Sequence, residues 1–321
     1  MRAIQVSEHG GPEVLTYAEV PDPTIGPGQL LVDTDAIGVN FIDTYLRTGT
    51  YKQPVPYIPG AEGTGVVAEV GADVTDFRPG DRVAWANAPG SYAPLVAVDE
   101  AVAVAVPDDV DPPVAASALL QGMTAHYLIE SIYRPEPGET VLVHAGAGGV
   151  GLLLTQMAVA RGVRVITTVS SDEKETLSRA AGAAEVLRYG DDLAERVRAS
   201  TDGVGVAAVY DGVGAATFEA SLASLRIRGM LALFGAASGP VPPFDLQRLN
   251  AAGSLFVTRP TLTHYTRDRT ELLWRAGDVL ESIAEGALAI RVGATYPLAD
   301  AAQAHRDLEG RTTTGSIVLL P

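Results

Sequence analysis

The sequence contains no cysteine, and this absence excludes disulfide bonds, thiolate metal ligands and cysteine nucleophiles. Lysine is nearly absent, since Lys52 and Lys174 are the only two lysines in 321 residues. No run of about 18 or more apolar residues occurs, so no membrane-spanning helix is expected. The opening residues MRAIQVSEHGG lack the apolar core of a signal peptide, and we therefore expect a cytoplasmic protein.

Positive charge is also scarce. The 23 Lys and Arg residues face 39 Asp and Glu residues, which gives a formal net charge of −16. A surface this acidic repels the phosphates of nucleic acids and of anionic membranes. The charge therefore favours a small-molecule partner and argues against nucleic acid or a membrane surface.

What the sequence does contain changes in character along the chain. The first hundred residues hold short apolar segments such as AIQV, GTGVVAEV and RVAWA, separated by Gly- and Pro-rich turns. Many short strands with such turns predict an all-β unit, either a barrel or a sandwich.

After Gly138, apolar strands alternate with helical patterns, beginning with the strand TVLVHAG and the helix GGVGLLLTQMAVARG. Alternation at this spacing predicts βαβ units and a parallel sheet. The last two strand-like segments, RVGATYPL and GSIVLLP, resemble the N-terminal part instead. We therefore expect the tail to complete the first domain, in an α/β protein of two domains.

Four glycines lie within six residues where the first strand of the alternating region meets its helix. Gly146, Gly148 and Gly151 fit the pattern G-x-G-x-x-G. In this context Gly146 permits a tight turn, Gly148 lets the backbone approach a pyrophosphate, and Gly151 allows close packing of helix on strand. The amide groups and the positive dipole end of the helix attract anions. The stretch predicts a dinucleotide-binding turn.

The end of the next strand bears on which dinucleotide binds. An NAD-binding site has an acidic residue about twenty positions after the turn. That position falls on Ser170 or Ser171, and Lys174 and Tyr189 follow. A cation and hydroxyl groups suit a 2′-phosphate and favour NADPH. Asp172 favours NAD instead if it occupies the acid's place.

Several longer motifs carry a family resemblance over essentially the whole length. They are GVNFIDTYLRTGTY at 38–51, PGAEGTGVVAEVG at 59–71, GDRVAWA at 80–86, LLQGMTAHYL at 119–128, HAGAGGVG at 144–151, YDGVG at 210–214, SLFVTRPTL at 254–262 and GRTTTGSIVLLP at 310–321. With these motifs the chain resembles the zinc-free quinone oxidoreductases, the zeta-crystallin-like branch of the medium-chain dehydrogenase/reductase superfamily.

The resemblance implies a GroES-like β-barrel catalytic domain at residues 1–124 and 263–321. It implies a Rossmann NADPH-binding domain, with a doubly wound parallel sheet, at residues 125–262. It also implies NADPH as cofactor, a homodimer, and a nicotinamide that faces the cleft between the two domains.

Zinc-bearing relatives of this family place a histidine shortly after a Pro-Gly pair, and here Ala61 stands at that position. The five histidines show no H-x-x-H spacing, and there is no cysteine. We therefore expect no metal and a hydride transfer that is independent of zinc.

Site residues are carried over from the resemblance one by one. Asn40 and Tyr45 are similar to the polar residues beside the nicotinamide and are the candidate catalytic residues. The candidate cofactor-binding residues are Asn40, Thr124, Gly148, Gly149, Val150, Ser170, Lys174, Tyr189, Phe234, Gly235, Ser238, Val257, Thr258, Arg259 and Arg311.

Some of these residues also have structural interpretations. Asn40 is a preferred helix cap ahead of FIDTYLR, and Tyr45 could serve packing. Glu62 reads as a remnant of a lost metal site rather than as a catalytic group. Asp211 either lies near a ligand at the sheet edge or fixes a turn.

The predicted function is reduction of a quinone by direct hydride transfer from NADPH, with a proton from Tyr45 or from solvent. Two alternatives stay open at this point. One is NADPH-dependent reduction of activated C=C bonds in enones or 2-alkenals. The other is a non-catalytic NADPH- or RNA-binding role of the zeta-crystallin-like kind.

Overall fold

The computed structural model describes residues 1–321, which divide into two compact units. Unit 1 comprises residues 1–123 and 266–321, and unit 2 comprises residues 124–265. The predicted domain boundaries after residues 124 and 262 stay a prediction, because the compact units divide after Met123 and Tyr265.

Short strands dominate the N-terminal part of unit 1. Its elements are β1 (Arg2–Val6), β2 (Leu15–Glu19), β3 (Gln29–Val39), α1 (Phe41–Arg47), β4 (Glu62–Val70), β5 (Arg82–Trp85), β6 (Leu95–Asp99), β7 (Val104–Ala105), α2 (Pro112–Ala115) and α3 (Leu119–Tyr127), the last of which crosses the boundary. The sequence analysis offered Asn40 as the cap of a helix over FIDTYLR, and α1 covers these seven residues with Asn40 at its N-cap.

Strands and helices alternate in unit 2. They are β8 (Thr140–Val143), α4 (Gly149–Ala160), β9 (Arg164–Val169), α5 (Asp172–Ala180), β10 (Glu185–Arg188), α6 (Leu193–Ala199), β11 (Val206–Asp211), α7 (Phe218–Ser224), β12 (Leu225–Leu233), α8 (Gln247–Ala251) and β13 (Phe256–Thr258). All strand pairs are parallel, in the order β10-β9-β8-β11-β12-β13.

This strand order is that of the doubly wound dinucleotide-binding fold, in which the order reverses between the first and fourth strands. Here the reversal lies between β8 and β11. Strands β8 and β11 are almost entirely buried, because helices cover both faces of such a sheet. The predicted α/β fold class with a Rossmann-type parallel sheet is confirmed.

The chain then returns to unit 1 with α9 (Arg269–Ala284), β14 (Val292–Pro297), α10 (Ala301–Glu309) and β15 (Ser316–Leu320). Asp268 caps α9 by accepting a hydrogen bond from the Glu271 amide. Strand β15 pairs with β3 in a seven-stranded sheet of order β14-β15-β3-β4-β5-β7, and β6 also pairs with β3.

Two of the buried apolar clusters of unit 1 contain its largest core side chains. One packs Trp85, Leu30 and Val98 between strands of the large sheet. The other packs Ile37 and Leu319 with side chains of α10. No helix in either unit has both the length and the apolar character needed to cross a membrane.

Candidate active site

The glycine turn of unit 2 follows β8 and opens α4. The Gly146 amide donates to the Thr168 carbonyl at 2.9 Å, and the Gly148 amide donates to the Ala145 carbonyl at 2.9 Å. Ala145 takes a left-handed conformation with φ of 53°. Gly148 is the N-cap of α4, and no side chain caps the helix. The first turn of α4 therefore presents its amide groups without a competing side-chain oxygen.

The three motif glycines have different surroundings. A Cβ on Gly146 would lie 2.5 Å from Thr167 Cβ, and one on Gly151 would lie 2.3 Å from the Ala145 carbonyl. A Cβ on Gly148 would meet only the Ala145 carbonyl, at 3.3 Å. Gly146 and Gly151 are thus required by packing inside the unit, whereas Gly148 leaves space for an approaching group. This cradle fits a pyrophosphate.

The carboxyl ends of β9 and β10 lie beside the turn. Lys174 Nζ lies 3.4 Å from Ser170 Oγ. Tyr189 accepts a hydrogen bond from the Ala145 amide at 3.0 Å, and its ring stacks on His144. Ser170, Lys174 and Tyr189 are therefore brought together with the glycine turn, and their donors suit a phosphate monoester.

Asp172, the residue that favoured NAD, is engaged by a cation that the sequence analysis did not consider. Arg188 Nη2 lies 2.6 Å from Asp172 Oδ1 and 2.9 Å from Glu175 Oε2. The Asp172 carboxylate is fully exposed at the start of α5, and Arg188 partly neutralises it.

A buried polar network lies next to the glycine turn and is centred on His144, the residue after β8. His144 Nδ1 lies 2.8 Å from Thr168 Oγ1 and His144 Nε2 lies 3.0 Å from Ser221 Oγ. Ser221 donates its hydroxyl hydrogen to Asp211 at 2.8 Å, so it accepts from His144 Nε2–H, and Nδ1 accepts from Thr168. Burial lowers the pKa of His144, which keeps the ring neutral.

Asp211 lies at the end of β11, and its carboxylate accepts hydrogen bonds from within the following loop. The Val213 and Gly214 amides donate to Oδ1 at 2.8 and 3.1 Å. The Thr217 hydroxyl lies 2.7 Å from Oδ2. Of the two interpretations of Asp211, these contacts favour a residue that fixes the turn.

Three candidates of unit 2, Phe234, Gly235 and Ser238, follow β12. Phe234 and Gly235 pack against Gly212, and the Phe234 ring would lie 2.9 Å from a Cβ there. The Ser238 hydroxyl donates to the Val213 carbonyl at 2.7 Å and accepts from the Ala216 amide, so it shapes this loop. Its predicted cofactor contact stays a prediction.

Three candidates lie on or after the edge strand of this sheet. Val257 and Thr258 pair with Leu231 and Ala232 of β12. Val257 is exposed, and Arg259 Nη1 donates to the Leu233 carbonyl at 3.2 Å. Thr124 is buried in α3, and Arg311 is exposed between α10 and β15 with φ of 55°; their predicted cofactor contacts stay predictions.

In unit 1, Asn40 stands at the N-cap of α1 and is buried. Its backbone amide donates to Asp43 Oδ2 at 2.9 Å. Its side chain faces other partners: Nδ2 donates to Glu62 Oε2 at 2.7 Å, and Oδ1 accepts from Gln121 Nε2 at 3.1 Å. Asn40 thus begins the helix and also presents an oriented carboxamide, while its predicted place beside the nicotinamide stays a prediction.

Tyr45 lies one turn further along α1 and is half-buried. Its ring centroid is 6.4 Å from that of Phe41 and 5.4 Å from that of Tyr51, the latter in an edge arrangement. This packing fixes the plane of the Tyr45 ring.

Glu62 is fully buried at the start of β4. Besides Asn40, the Leu120 amide donates to Glu62 Oε1 at 2.8 Å. Burial raises the pKa of Glu62 to about 8, against the lowering effect of these two hydrogen bonds, and the nearby Asp43 raises it further. Glu62 is therefore a buried carboxyl that titrates close to neutral pH.

A second buried network involves Asp43 and Arg47 of α1. Tyr92 Oη donates to Asp43 Oδ2 at 3.1 Å and lies 2.9 Å from His305 Nε2. Arg47 Nη1 donates to His305 Nδ1 at 2.9 Å, so Nε2 carries the hydrogen of the neutral ring. Burial, with Arg47 close by, lowers the pKa of His305 to about 3, and burial raises the pKa of Asp43 to about 7.

Three or more His, Asp or Glu side chains are nowhere clustered in a way that could hold a metal ion. The residues that sequence reasoning missed are Gln121, Ser316 and Arg188, and it set Glu62 aside. Ser316 Oγ donates to Gln121 Oε1 at 2.7 Å and so extends the network around Asn40. A polar glutamine inside the apolar helix LLQGMTAHY was the available signal for Gln121.

Two family models match this chain. The alcohol dehydrogenase GroES-like domain matches residues 26–108, and a model described as zinc-binding dehydrogenase matches residues 149–272. The first match lies within unit 1, and the second spans most of unit 2.

Full-length relatives are similar throughout. The quinone oxidoreductase of Pseudomonas aeruginosa is 46% identical and aligns over 100% of this chain and 99% of its own length. A mycobacterial protein solved in complex with NADPH is 57% identical over 100% of both chains, with a TM-score of 0.98. The quinone oxidoreductase of Escherichia coli, also solved with NADPH, is 40% identical over 100% of both chains, with a TM-score of 0.97.

Proposed function

This chain belongs to the quinone oxidoreductase family of the medium-chain dehydrogenase/reductase superfamily, and from this membership we propose that it is an NADPH-dependent quinone oxidoreductase. The observation that carries the proposal is the similarity to quinone oxidoreductases over the whole chain, including one solved with NADPH. Reduction of activated C=C bonds and a non-catalytic role are not favoured.

The residues of unit 2 fit NADPH. The amides of Gly149 and Val150 at the uncapped start of α4, with Gly148 in front of them, would hold the pyrophosphate. Ser170, Lys174 and Tyr189 would hold the 2′-phosphate, because an ammonium and two hydroxyls lie together beside the turn. Phe234, Gly235 and Thr258 would line the cofactor's other half, at the ends of β12 and β13.

Bound NADPH supplies a hydride, and the protein supplies orientation and a proton path. A quinone takes up one hydride and one proton and becomes a hydroquinone, while NADPH becomes NADP⁺. Asn40 would donate a hydrogen bond to the acceptor oxygen from its carboxamide. Tyr45 would hold the second oxygen or deliver the proton, with solvent as the other source.

We extend the proposal to a reaction without zinc. Its support is the absence of cysteine and the presence of Ala61 where zinc-bearing relatives of the family have a histidine ligand. Elemental analysis of the purified active protein tests this point. Activity without stoichiometric zinc supports it, and activity that requires zinc contradicts it.

We also propose a cytoplasmic homodimer. Support for the dimer comes from β13, an edge strand whose neighbourhood exposes Ile227 and Phe256 by 73% and 55%. An exposed apolar edge strand is a template for pairing with a second copy about a two-fold axis. Light scattering should report a dimer, and Phe256→Glu should shift it toward monomer; a monomeric wild type contradicts the proposal.

The function itself is tested by stopped-flow oxidation of NADPH with a panel of quinones and enones, with NADH as the control cofactor. We expect rapid NADPH oxidation by ortho- or para-quinones and slower oxidation by enones. Faster turnover with enones, or no NADPH consumption with any acceptor, contradicts the proposed function.

A further inference from the structure

Four side chains in unit 1 form one continuous hydrogen-bonded chain. Ser316 donates to Gln121 at 2.7 Å, Gln121 donates to Asn40 at 3.1 Å, and Asn40 donates to Glu62 at 2.7 Å. All four residues are buried. The chain joins β15, α3, the start of α1 and β4. The Asn40 carboxamide therefore makes a hydrogen bond on each side: its oxygen accepts from Gln121, and its amino group donates to Glu62.

The direction of this chain depends on the proton of Glu62. An ionised carboxylate can only accept, so Asn40 must turn its amino group toward Glu62. A neutral Glu62 can donate to Asn40 Oδ1 instead, because the Leu120 amide already occupies Oε1. Gln121 and Ser316 can follow, since a carboxamide and a hydroxyl each both donate and accept. All the hydrogen bonds from Ser316 to Glu62 can thus point in either direction.

The surroundings of Glu62 allow both its ionised and its neutral form near neutral pH. Asp43 of α1 is the charged side chain that acts on it, and it disfavours the ionised form of Glu62. The Leu119 and Leu120 amides at the start of α3 and the Asn40 amide group favour the ionised form. Gly38 of β3 packs so closely that a Cβ there would lie 2.4 Å from Glu62 Oε2. Because burial opposes ionisation, the pKa of Glu62 stands at about 8.

We infer that Glu62 is a positioning residue for Asn40, and that gain or loss of its proton reverses the hydrogen-bond chain and changes the donor strength of the Asn40 carboxamide. This inference rests on the proposed function, in which Asn40 donates to the acceptor oxygen. When neutral Glu62 donates to Oδ1, the amide is polarised and its N–H groups become stronger donors. When the carboxylate accepts from Nδ2, the remaining N–H is a weaker donor.

The protonated form of Glu62 therefore favours transfer to the acceptor. We expect kcat/KM for a quinone to fall by about threefold across a transition near pH 8, because polarisation changes the strength of one charge-assisted hydrogen bond by roughly 10–30%. No bond to Glu62 is made or broken in the reaction beyond its own proton equilibrium with solvent.

Glu62→Gln tests the inference, because glutamine is neutral at every pH and keeps the size of the side chain. Its amino group donates to Asn40 Oδ1, and its carbonyl accepts from the Leu120 amide. We expect E62Q to show, between pH 6 and pH 9, the kcat/KM that the wild type shows at pH 6, and therefore to lack the alkaline transition. Asp43→Asn is the matched control: it removes a buried carboxyl in the same region and should keep the transition, at lower pH.

Two further measurements separate positioning from a merely structural role. In an Asn40→Ala background, E62Q should change kcat/KM at pH 9 by less than twofold, because the residue that transmits the effect is gone. Infrared spectra of the protein without cofactor should show a protonated-carboxyl band at pH 6.5 that E62Q lacks and that titrates near pH 8 in the wild type.

An alkaline transition that persists unchanged in E62Q overturns the inference, as does the absence of a Glu62 carboxyl band at pH 6.5. Equal effects of E62Q with and without Asn40 also overturn it. If no variant, including the wild type, oxidises NADPH with a quinone, the proposed function fails, while the infrared titration still decides the protonation of Glu62.

Discussion

Replacing Lys174 with alanine tests how this chain would tell NADPH from NADH. Lys174 Nζ lies 3.4 Å from Ser170 Oγ, so a phosphate held by both would stand roughly 4 Å from the ammonium. Two unit charges at about 4 Å attract by about 1 kcal/mol in water and by about 4 kcal/mol at an effective dielectric constant of about 20. Lys174 is half-buried, which places it between these limits.

The expected loss for Lys174→Ala is therefore about 2 kcal/mol, or roughly a 30-fold rise in the Kd for NADPH. NADH has no 2′-phosphate, and its Kd should change by less than about twofold. The assay is a fluorescence titration of both cofactors at low and high ionic strength, since added salt screens an exposed charge pair.

Lys52→Ala is the matched control, because it removes the only other lysine, an exposed residue of unit 1. It should leave both Kd values unchanged. Equal weakening of NADPH and NADH by Lys174→Ala, or no weakening of either, would refute the assignment of Lys174 to the 2′-phosphate.

Three further predictions follow from the contacts described above. Arg188→Leu removes the cation that pairs with the carboxylates of Asp172 and Glu175, so the ratio of kcat/KM for NADPH to that for NADH should fall severalfold. Adding Asp172→Asn should restore the ratio. An unchanged ratio in Arg188→Leu counts against a role of Arg188 in cofactor preference. Gly151→Ala places a Cβ 2.3 Å from the Ala145 carbonyl and should lower the free energy of unfolding by about 1–3 kcal/mol in denaturant titrations, whereas Gly277→Ala in α9, with open space around it, should not destabilise the protein. The pKa of Glu62 is raised on folding, so its stabilising effect is present at acidic pH and is lost as pH rises through about 8. The difference in Tm between E62Q and the wild type should therefore be more positive at pH 9 than at pH 5. A Tm difference that is the same at both pH values would contradict this prediction.

The fold and the geometry of the glycine turn could be predicted because their signals are local. The glycines at 146, 148 and 151 lie between one strand and one helix, and each serves a geometric need that only glycine meets at low cost. The alternation of strands and helices likewise predicted the parallel sheet.

The side-chain networks could not be predicted because their members lie far apart in sequence. Asn40 and Glu62 are 22 residues apart, Asn40 and Gln121 are 81 apart, and Gln121 and Ser316 are 195 apart. The pairing of Arg188 with Asp172 joins β10 to the start of α5. Sequence spacing does not indicate such contacts. The sequence analysis consequently interpreted Glu62 as a remnant of a lost metal site.

Tyr189 and Ser238 make hydrogen bonds within unit 2 that sequence spacing did not predict. Both are predicted to contact the cofactor, and these contacts stay predictions. Within unit 2, Tyr189 accepts a hydrogen bond from the Ala145 amide and Ser238 donates to the Val213 carbonyl. Tyr189 keeps 37% of its surface exposed, and the Ser238 hydroxyl also accepts a hydrogen bond from the Ala216 amide.

The central claim is that a hydride passes from NADPH to a quinone on this protein without a metal ion. Its most direct test is a single turnover of chelator-treated protein with NADPH deuterated at C4 and one equivalent of benzoquinone. We expect one hydroquinone formed per NADPH consumed, at a rate slowed by deuterium and unaffected by added zinc. Failure to consume NADPH, or recovery of the rate only with zinc, would contradict the claim.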